Sequence, residues 1–240
     1  MLAILTLLLL CLISIQTGYA AQEPEIEFVS FGEGSVVTSP INLAAEVQPE
    51  TMGMIRVEVI DRKGFSLARK LMPMEESIRM DIPNFVTQIP FEIPDEASEA
   101  LLTLAKLDEF GRPVVLRSVI VTLQSSGEEN LNSYQPQAPW IILENPKGLR
   151  TYSGGKIQVK GTLIPLSEKP IRFELMTKDK RLVGSSQIPV TQVGVPLVFD
   201  LNLYYSFINS LTNTRLSVSQ AADPYGADAM LDSLNIYLLP

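Results

Sequence analysis

Ile55-Arg56-Val57-Glu58-Val59-Ile60-Asp61-Arg62 is answered 116 residues later by Ile171-Arg172-Phe173-Glu174-Leu175-Met176-Thr177-Lys178. In both stretches apolar and charged side chains alternate. That is the period of a strand with one buried face and one wet face. Ile41-Asn42-Leu43-Ala44-Ala45 matches Ile157-Gln158-Val159-Lys160-Gly161 at the same offset. Asp108-Glu109-Phe110-Gly111 matches Asp223-Pro224-Tyr225-Gly226, and Ser118-Val119-Ile120-Val121 matches Ser233-Leu234-Asn235-Ile236, both at 115. Phe91-Glu92-Ile93 matches Phe199-Asp200-Leu201 at 108, which implies an expanded loop after Leu201. Matches in one order at nearly one spacing indicate a tandem duplication.

Strand-like runs fall near 26–30, 41–47, 54–60, 66–72, 86–93, 100–107 and 114–123 in the first copy. In the second they fall near 140–144, 156–163, 170–177, 181–188, 195–203, 213–219 and 230–238. Turn residues separate them, as in Arg62-Lys63-Gly64. About seven short strands in about 100 residues predict an immunoglobulin-like sandwich. The expected fold is therefore all-β: two tandem immunoglobulin-like antiparallel β-sandwiches, at 22–124 and 140–240. The polar, proline-bearing stretch 125–139 is expected to be a flexible linker between separate cores. Helix-like sequence is limited to 94–99 and 204–211.

The turn Gly34-Ser35-Val36-Val37-Thr38-Ser39 followed by the strand Ile41–Ala45 resembles the immunoglobulin-like domain of bacterial spore germination proteins. Gly148–Gly154 with Ile157–Gly161 repeats the pattern, and Val57-Glu58-Val59-Ile60-Asp61-Arg62-Lys63-Gly64 fits the later V-x-V-x-D-x-x-G segment. The second copy departs there, with Thr177-Lys178-Asp179-Lys180 at the turn and Gly155 in place of Pro40. The resemblance covers both copies and implies an exported or envelope-attached bacterial protein. It implies no catalytic residues.

Residues 1–21 read as a signal peptide. Leu2–Ile15 is almost unbroken apolar sequence, Gly18-Tyr19-Ala20 is a small-residue exit, and Gln22-Glu23-Pro24-Glu25 is polar. No Lys or Arg precedes the apolar run, so either the α-amino group supplies the positive end or the start lies upstream. The run is short for a membrane span, which needs about 20 residues. No stable span is expected once the signal is cleaved. The alternative is an uncleaved anchor.

The chain has no His, and its one Cys, Cys11, lies in the leader. His-based nucleophilic triads, His- or Cys-ligated metals and disulfides are thereby excluded. A net charge of -8 argues against a general nucleic-acid binder. The charge is uneven: -8 from Glu23 to Leu123, -2 in the linker, +2 from Trp140 onward. Asp108-Glu109-Phe110-Gly111 reads as a β-turn. The neighbouring carboxylates Glu75-Glu76, Asp95-Glu96 and Glu128-Glu129 read as solvated loop charges. Asp61 with Asp108, and Asp223 with Asp228, are the best oxygen-ligand pairs for calcium, but turn capping is the better reading. No cofactor is expected.

Trp140, Tyr134 and Tyr152 cluster in sequence at the linker exit. Tyr204 and Tyr205 are the candidate ligand contacts, because two adjacent residues at a strand end point to opposite sides. Lys178, Lys180 and Arg181 add positive charge on another turn.

These readings converge on an exported, non-catalytic binding or structural protein, secreted or in the cell envelope. Its expected partner is a cell-wall polymer or another envelope protein. The alternatives are a carboxylate- or metal-dependent carbohydrate-active enzyme, or a subunit of a strand-exchanging assembly. N-terminal sequencing of the exported protein should start at Ala21 or Gln22. An intact Met1 species recovered from membranes would instead establish an anchor.

Overall fold

The duplicated strand pattern is realised residue for residue in β12 (Ile171–Thr177), where Ile171, Phe173, Leu175 and Thr177 are buried and the residues between them are not. The computed structural model describes residues 25–49, 53–78, 83–135 and 141–240. The leader and Trp140 lie outside the described residues. The first copy contains β1 (Ile26–Phe28), β2 (Ser35–Thr38), β3 (Ile41–Val47), β4 (Met54–Asp61), β5 (Ser66–Pro73), α1 (Met74–Ser77), β6 (Phe85–Ile89), β7 (Ala97–Leu107) and β8 (Pro113–Gln124). The second contains β9 (Ile141–Asn145), β10 (Thr151–Tyr152), β11 (Lys156–Leu163), β12, β13 (Leu182–Ile188), β14 (Leu197–Tyr204), β15 (Thr212–Ala221) and β16 (Asp228–Leu238).

Each copy is an antiparallel sandwich of one topology. β1-β3-β6 faces β5-β4-β7-β8, and β9-β11-β14 faces β13-β12-β15-β16. The short strand β2 runs parallel to the end of β8, and β10 does the same to β16. The first core gathers Leu43, Val57, Phe85 and Leu102; the second gathers Val159, Phe173, Phe199 and Leu216. Phe173 meets Phe199 edge-on at 5.2 Å. Burying several such aromatics supplies the main stabilisation of chains without disulfides.

Two details differ from the sequence reading. Neither 94–99 nor 204–211 is helical: Ala97–Glu99 pair with Gln124–Thr122 as the start of β7. The helix is α1, ahead of β6. The repeat alignment also shifts there. Phe85 lies opposite Ala45 as Phe199 lies opposite Gly161, so Phe199 corresponds to Phe85 and not to Phe91. Leu102 opposes Val119 as Leu216 opposes Leu234, which keeps an offset of 114 on both sides of the following loop. That loop is therefore equally long in both copies. The extra residues lie in the first copy, between β5 and β6, where α1 forms.

The two sandwiches are joined by a strand edge. β2 and β10 cover only the C-terminal ends of β8 and β16, leaving their N-terminal halves open. These halves pair with each other, Leu116 opposite Leu231 and Asp232 opposite Val115. One ten-stranded sheet thus crosses both copies. Leu116 and Leu231 are equivalent repeat positions, so the junction has a local two-fold axis. The side chains obey it. Ser118 Oγ donates to Ala229 O at 2.8 Å, and its equivalent Ser233 Oγ donates to Val114 O at 2.7 Å. Arg117 and its equivalent Asp232 face each other in a two-pronged pair at 2.9 and 3.0 Å. Burial pushes the Asp232 carboxyl up to about 6, and Arg117 offsets only part of that.

The loops before β8 and β16 are exchanged reciprocally. Asp108–Arg112 seats on the second sandwich, where Arg112 donates to Met176 O at 3.2 Å. Ala222–Ala227 seats on the first, where the Tyr225 hydroxyl donates to Glu99 at 2.6 Å. The stretch read as a linker is described as far as Gln135, and it is anchored to the first copy. Asn130 bridges to Val36, Gly32 N–H donates to Asn132 O at 2.7 Å, and the Tyr134 ring lies 6.0 Å from that of Phe28.

The local two-fold makes the charge pair reversible. Arg117→Asp or Asp232→Arg alone should cost about 3 kcal/mol or more, because two like charges meet in a buried site. The double reversal rebuilds the pair in mirror image and should recover most of that loss, measured by urea denaturation.

Candidate functional site

Equivalent sockets flank the two-fold axis, and different residues fill them. In the socket under β16, Arg112 is 1% exposed. Its Nε donates to Asp108 at 2.8 Å, and its terminal nitrogens reach Asn213 and Asn235, each at 3.4 Å. Arg215 Nε reaches the same Asp108 oxygen at 3.2 Å. Burial alone would raise the Asp108 pKa. The Arg112 amide and guanidinium, with the charge of Arg215, overcome this and hold it below the usual range. Phe110 is flanked by Arg112 at 5.2 Å and Lys178 at 4.7 Å.

In the mirror socket the Asp108 and Arg112 positions are Ala222 and Ala227. Both pairs close the same turn: Asp108 N–H donates to Arg112 O, and Ala222 N–H to Ala227 O. Leu101 takes the place of Arg215, Glu99 that of Asn213, and Ile120 that of Asn235. Ile60, Leu101, Ala222, Tyr225 and Ala229 make a small apolar cluster there. Because Ala227 has no long side chain to fill the space, a cleft of about 480 Å³ remains, walled by Glu33, Ile120, Asn132, Tyr134, Ala222 and Ala229 among others. That volume lies in the range of small-molecule sites.

Glu33 is the chief polar feature of this cleft. Its carboxylate accepts the Ile120 N–H at 2.9 Å. Burial of the carboxyl raises its pKa, the Ile120 bond takes back part of the rise, and the charge of Glu99 adds to it. Glu99 itself is engaged by the Tyr225 hydroxyl and lies 3.8 Å from Arg62. Burial and that bond hold the Tyr225 proton in place.

Tyr204 and Tyr205 separate. Tyr204 is 67% exposed at the end of β14, while Tyr205 is 7% exposed. Tyr205 stands where the first copy has Phe91, also buried. Its N–H donates to Gly155 O at 2.9 Å and its hydroxyl to Leu239 O at 2.7 Å. The ring is a core element and offers no face to a ligand, so the pair as a contact site reduces to Tyr204. Phe207 is 74% exposed and has a φ of 62°, unusual for a bulky residue. Arg181 donates to Phe207 O at 3.3 Å, so the basic turn and the aromatic loop lie at one end of the sandwich.

The other aromatics are not brought together. Tyr134 belongs to the first core and Tyr152 to the second. The aspartates considered for calcium serve turns and ion pairs. Asp61 accepts the Lys63 and Phe65 N–H groups, each at 2.8 Å, and Asp108 those of Phe110 and Arg112 at 3.0 and 2.9 Å. Asp223 pairs with Lys169 at 3.3 Å, and Asp228 with Arg172. Glu33, Ser118 and Ala229 escaped the sequence reading. The Ser118–Ser233 match was visible, but nothing in it says that the two copies meet along that strand.

No family model matches the chain, and no curated protein does. Two similar solved structures are the fibronectin(III)-like modules of Clostridium thermocellum CbhA and dimeric latent PorU from Porphyromonas gingivalis. The first is 16% identical, with a TM-score of 0.27 over 89% of this chain and 93% of that one. The second is 15% identical, with a TM-score of 0.28 over 90% of this chain and 20% of that one. Neither is a spore germination protein. Among the described residues no helix is long and apolar enough to cross a membrane.

The two tyrosines should respond differently to truncation. Tyr205→Ala should cost about 3 to 5 kcal/mol of stability, as removal of a buried aromatic does. Tyr204→Ala should stay within about 0.5 kcal/mol of wild type. Thermal or urea denaturation of the two single variants distinguishes them.

Proposed function

We propose that this chain is a non-catalytic binding or structural protein that acts as one rigid two-sandwich block, exported to the cell envelope or beyond. The observation that carries the reading is the junction. Strand pairing, reciprocal loop exchange and buried ion pairs hold the copies in one orientation. An immunoglobulin-like module commonly offers its end loops to partners. Here the loops at 108–112 and 222–227 are spent on the partner sandwich, which favours a spacer whose remaining surfaces are presented at fixed geometry. Export rests on the apolar leader. A cell-wall polymer or another envelope protein is the partner class that such a location suggests.

Small-angle scattering tests the rigid block. Wild type should fit a single conformation, and the Arg117→Asp variant should broaden toward an ensemble with a larger radius of gyration. A wild-type chain that scatters as two freely jointed bodies would overturn the reading. A panel of glycans and wall polymers, read for both binding and cleavage, tests the absence of catalysis. Cleavage of any member would select the carbohydrate-active alternative.

A further inference from the structure

The cleft beside Ala227 is the vacant counterpart of a site that the protein fills with its own arginine. Across the two-fold axis, the guanidinium of Arg112 occupies the equivalent space, ringed by oxygen acceptors on Asp108, Asn213, Asn235 and Met176. On the cleft side the arginine is missing but acceptors remain. Glu33 lines the wall, and Asp223 stands at the margin. Glu33 makes one hydrogen bond, to the Ile120 N–H, and has no cation beside it. Glu99 lies close enough to disfavour its charge. The Tyr134 side chain supplies an aromatic wall. A planar cation matches this combination of a carboxylate, an aromatic ring and a narrow space, because a guanidinium both accepts stacking and donates along a fork to carboxylate oxygens.

We propose that the cleft between the sandwiches binds a guanidinium group, with Glu33 as its main anchor. The cation then sits in the first copy's socket as Arg112 sits in the second's. This goes beyond the rigid-block reading and adds a ligand class. If no guanidinium binds while scattering still shows one conformation, this proposal fails and the rigid block stands.

The test is titration of the full mature chain with argininamide, followed by calorimetry or NMR. Citrullinamide, its neutral isostere, is the control. One saturable site for argininamide and none for citrullinamide is expected. Glu33→Gln, which keeps the shape of the side chain, should weaken binding by about tenfold, the usual loss with a charged hydrogen-bond partner. Ala227→Arg places an arginine at the position equivalent to Arg112 and should abolish binding by occupying the cleft. Melting curves establish that both variants are folded. A pentapeptide Gly-Gly-Arg-Gly-Gly that binds more tightly than argininamide indicates an arginine presented by a partner chain; equal affinity indicates a free guanidine compound. Absence of saturable argininamide binding, equal binding of citrullinamide, or unchanged affinity in both folded variants overturns the proposal.

Discussion

The pairing of Leu116 with Leu231 is the contact on which the rest of the arrangement depends. A strand at a sheet edge presents unpaired backbone donors and acceptors, and such edges must be covered or blunted. β2 and β10 cover one half of each last strand and stop. The uncovered halves of β8 and β16 then satisfy each other, and antiparallel pairing of equivalent strands imposes a two-fold relation. Once those residues are opposite, Ser118 and Ser233 fall within reach of backbone carbonyls across the axis, and each preceding loop lands on the other sandwich.

Duplication made the two sockets equal in backbone, and substitution made them unequal in content. One became ionic, through Asp108, Arg112 and Arg215. The other became small and apolar, through Ala222, Ala227 and Leu101. A buried ion network is costly to desolvate and is held only when every partner is in place. A pair of alanines carries no such cost but leaves volume. The same drift that favours packing on one side therefore produces the cleft on the other.

Much of this fold was legible in the sequence, because strand period and repeat spacing are local signals. The expected runs 41–47 and 156–163 coincide with β3 and β11. What could not be read were features set by long-range geometry. The Phe91 to Phe199 match fails because both segments are apolar strands, and only pairing against Ala45 and Gly161 fixes the register. Tyr205 reads as a loop aromatic until its place is recognised as that of Phe91. The two-residue strands at β10, and the sheet crossing from β16 to β8, leave no composition signal at all.

Arg117 and Asp232 show how a duplicated junction avoids pairing with the wrong partner. They occupy one position in the two copies and meet across the axis. Were two first copies from different chains to pair by this edge, Arg117 would face Arg117; two second copies would set Asp232 against Asp232. Like charges in a buried site cost several kcal/mol, by the general behaviour of such sites. The mixed pair has no such penalty, and covalent linkage raises its effective concentration further. A symmetric edge inherited by both halves is thereby directed to join the two halves of one chain.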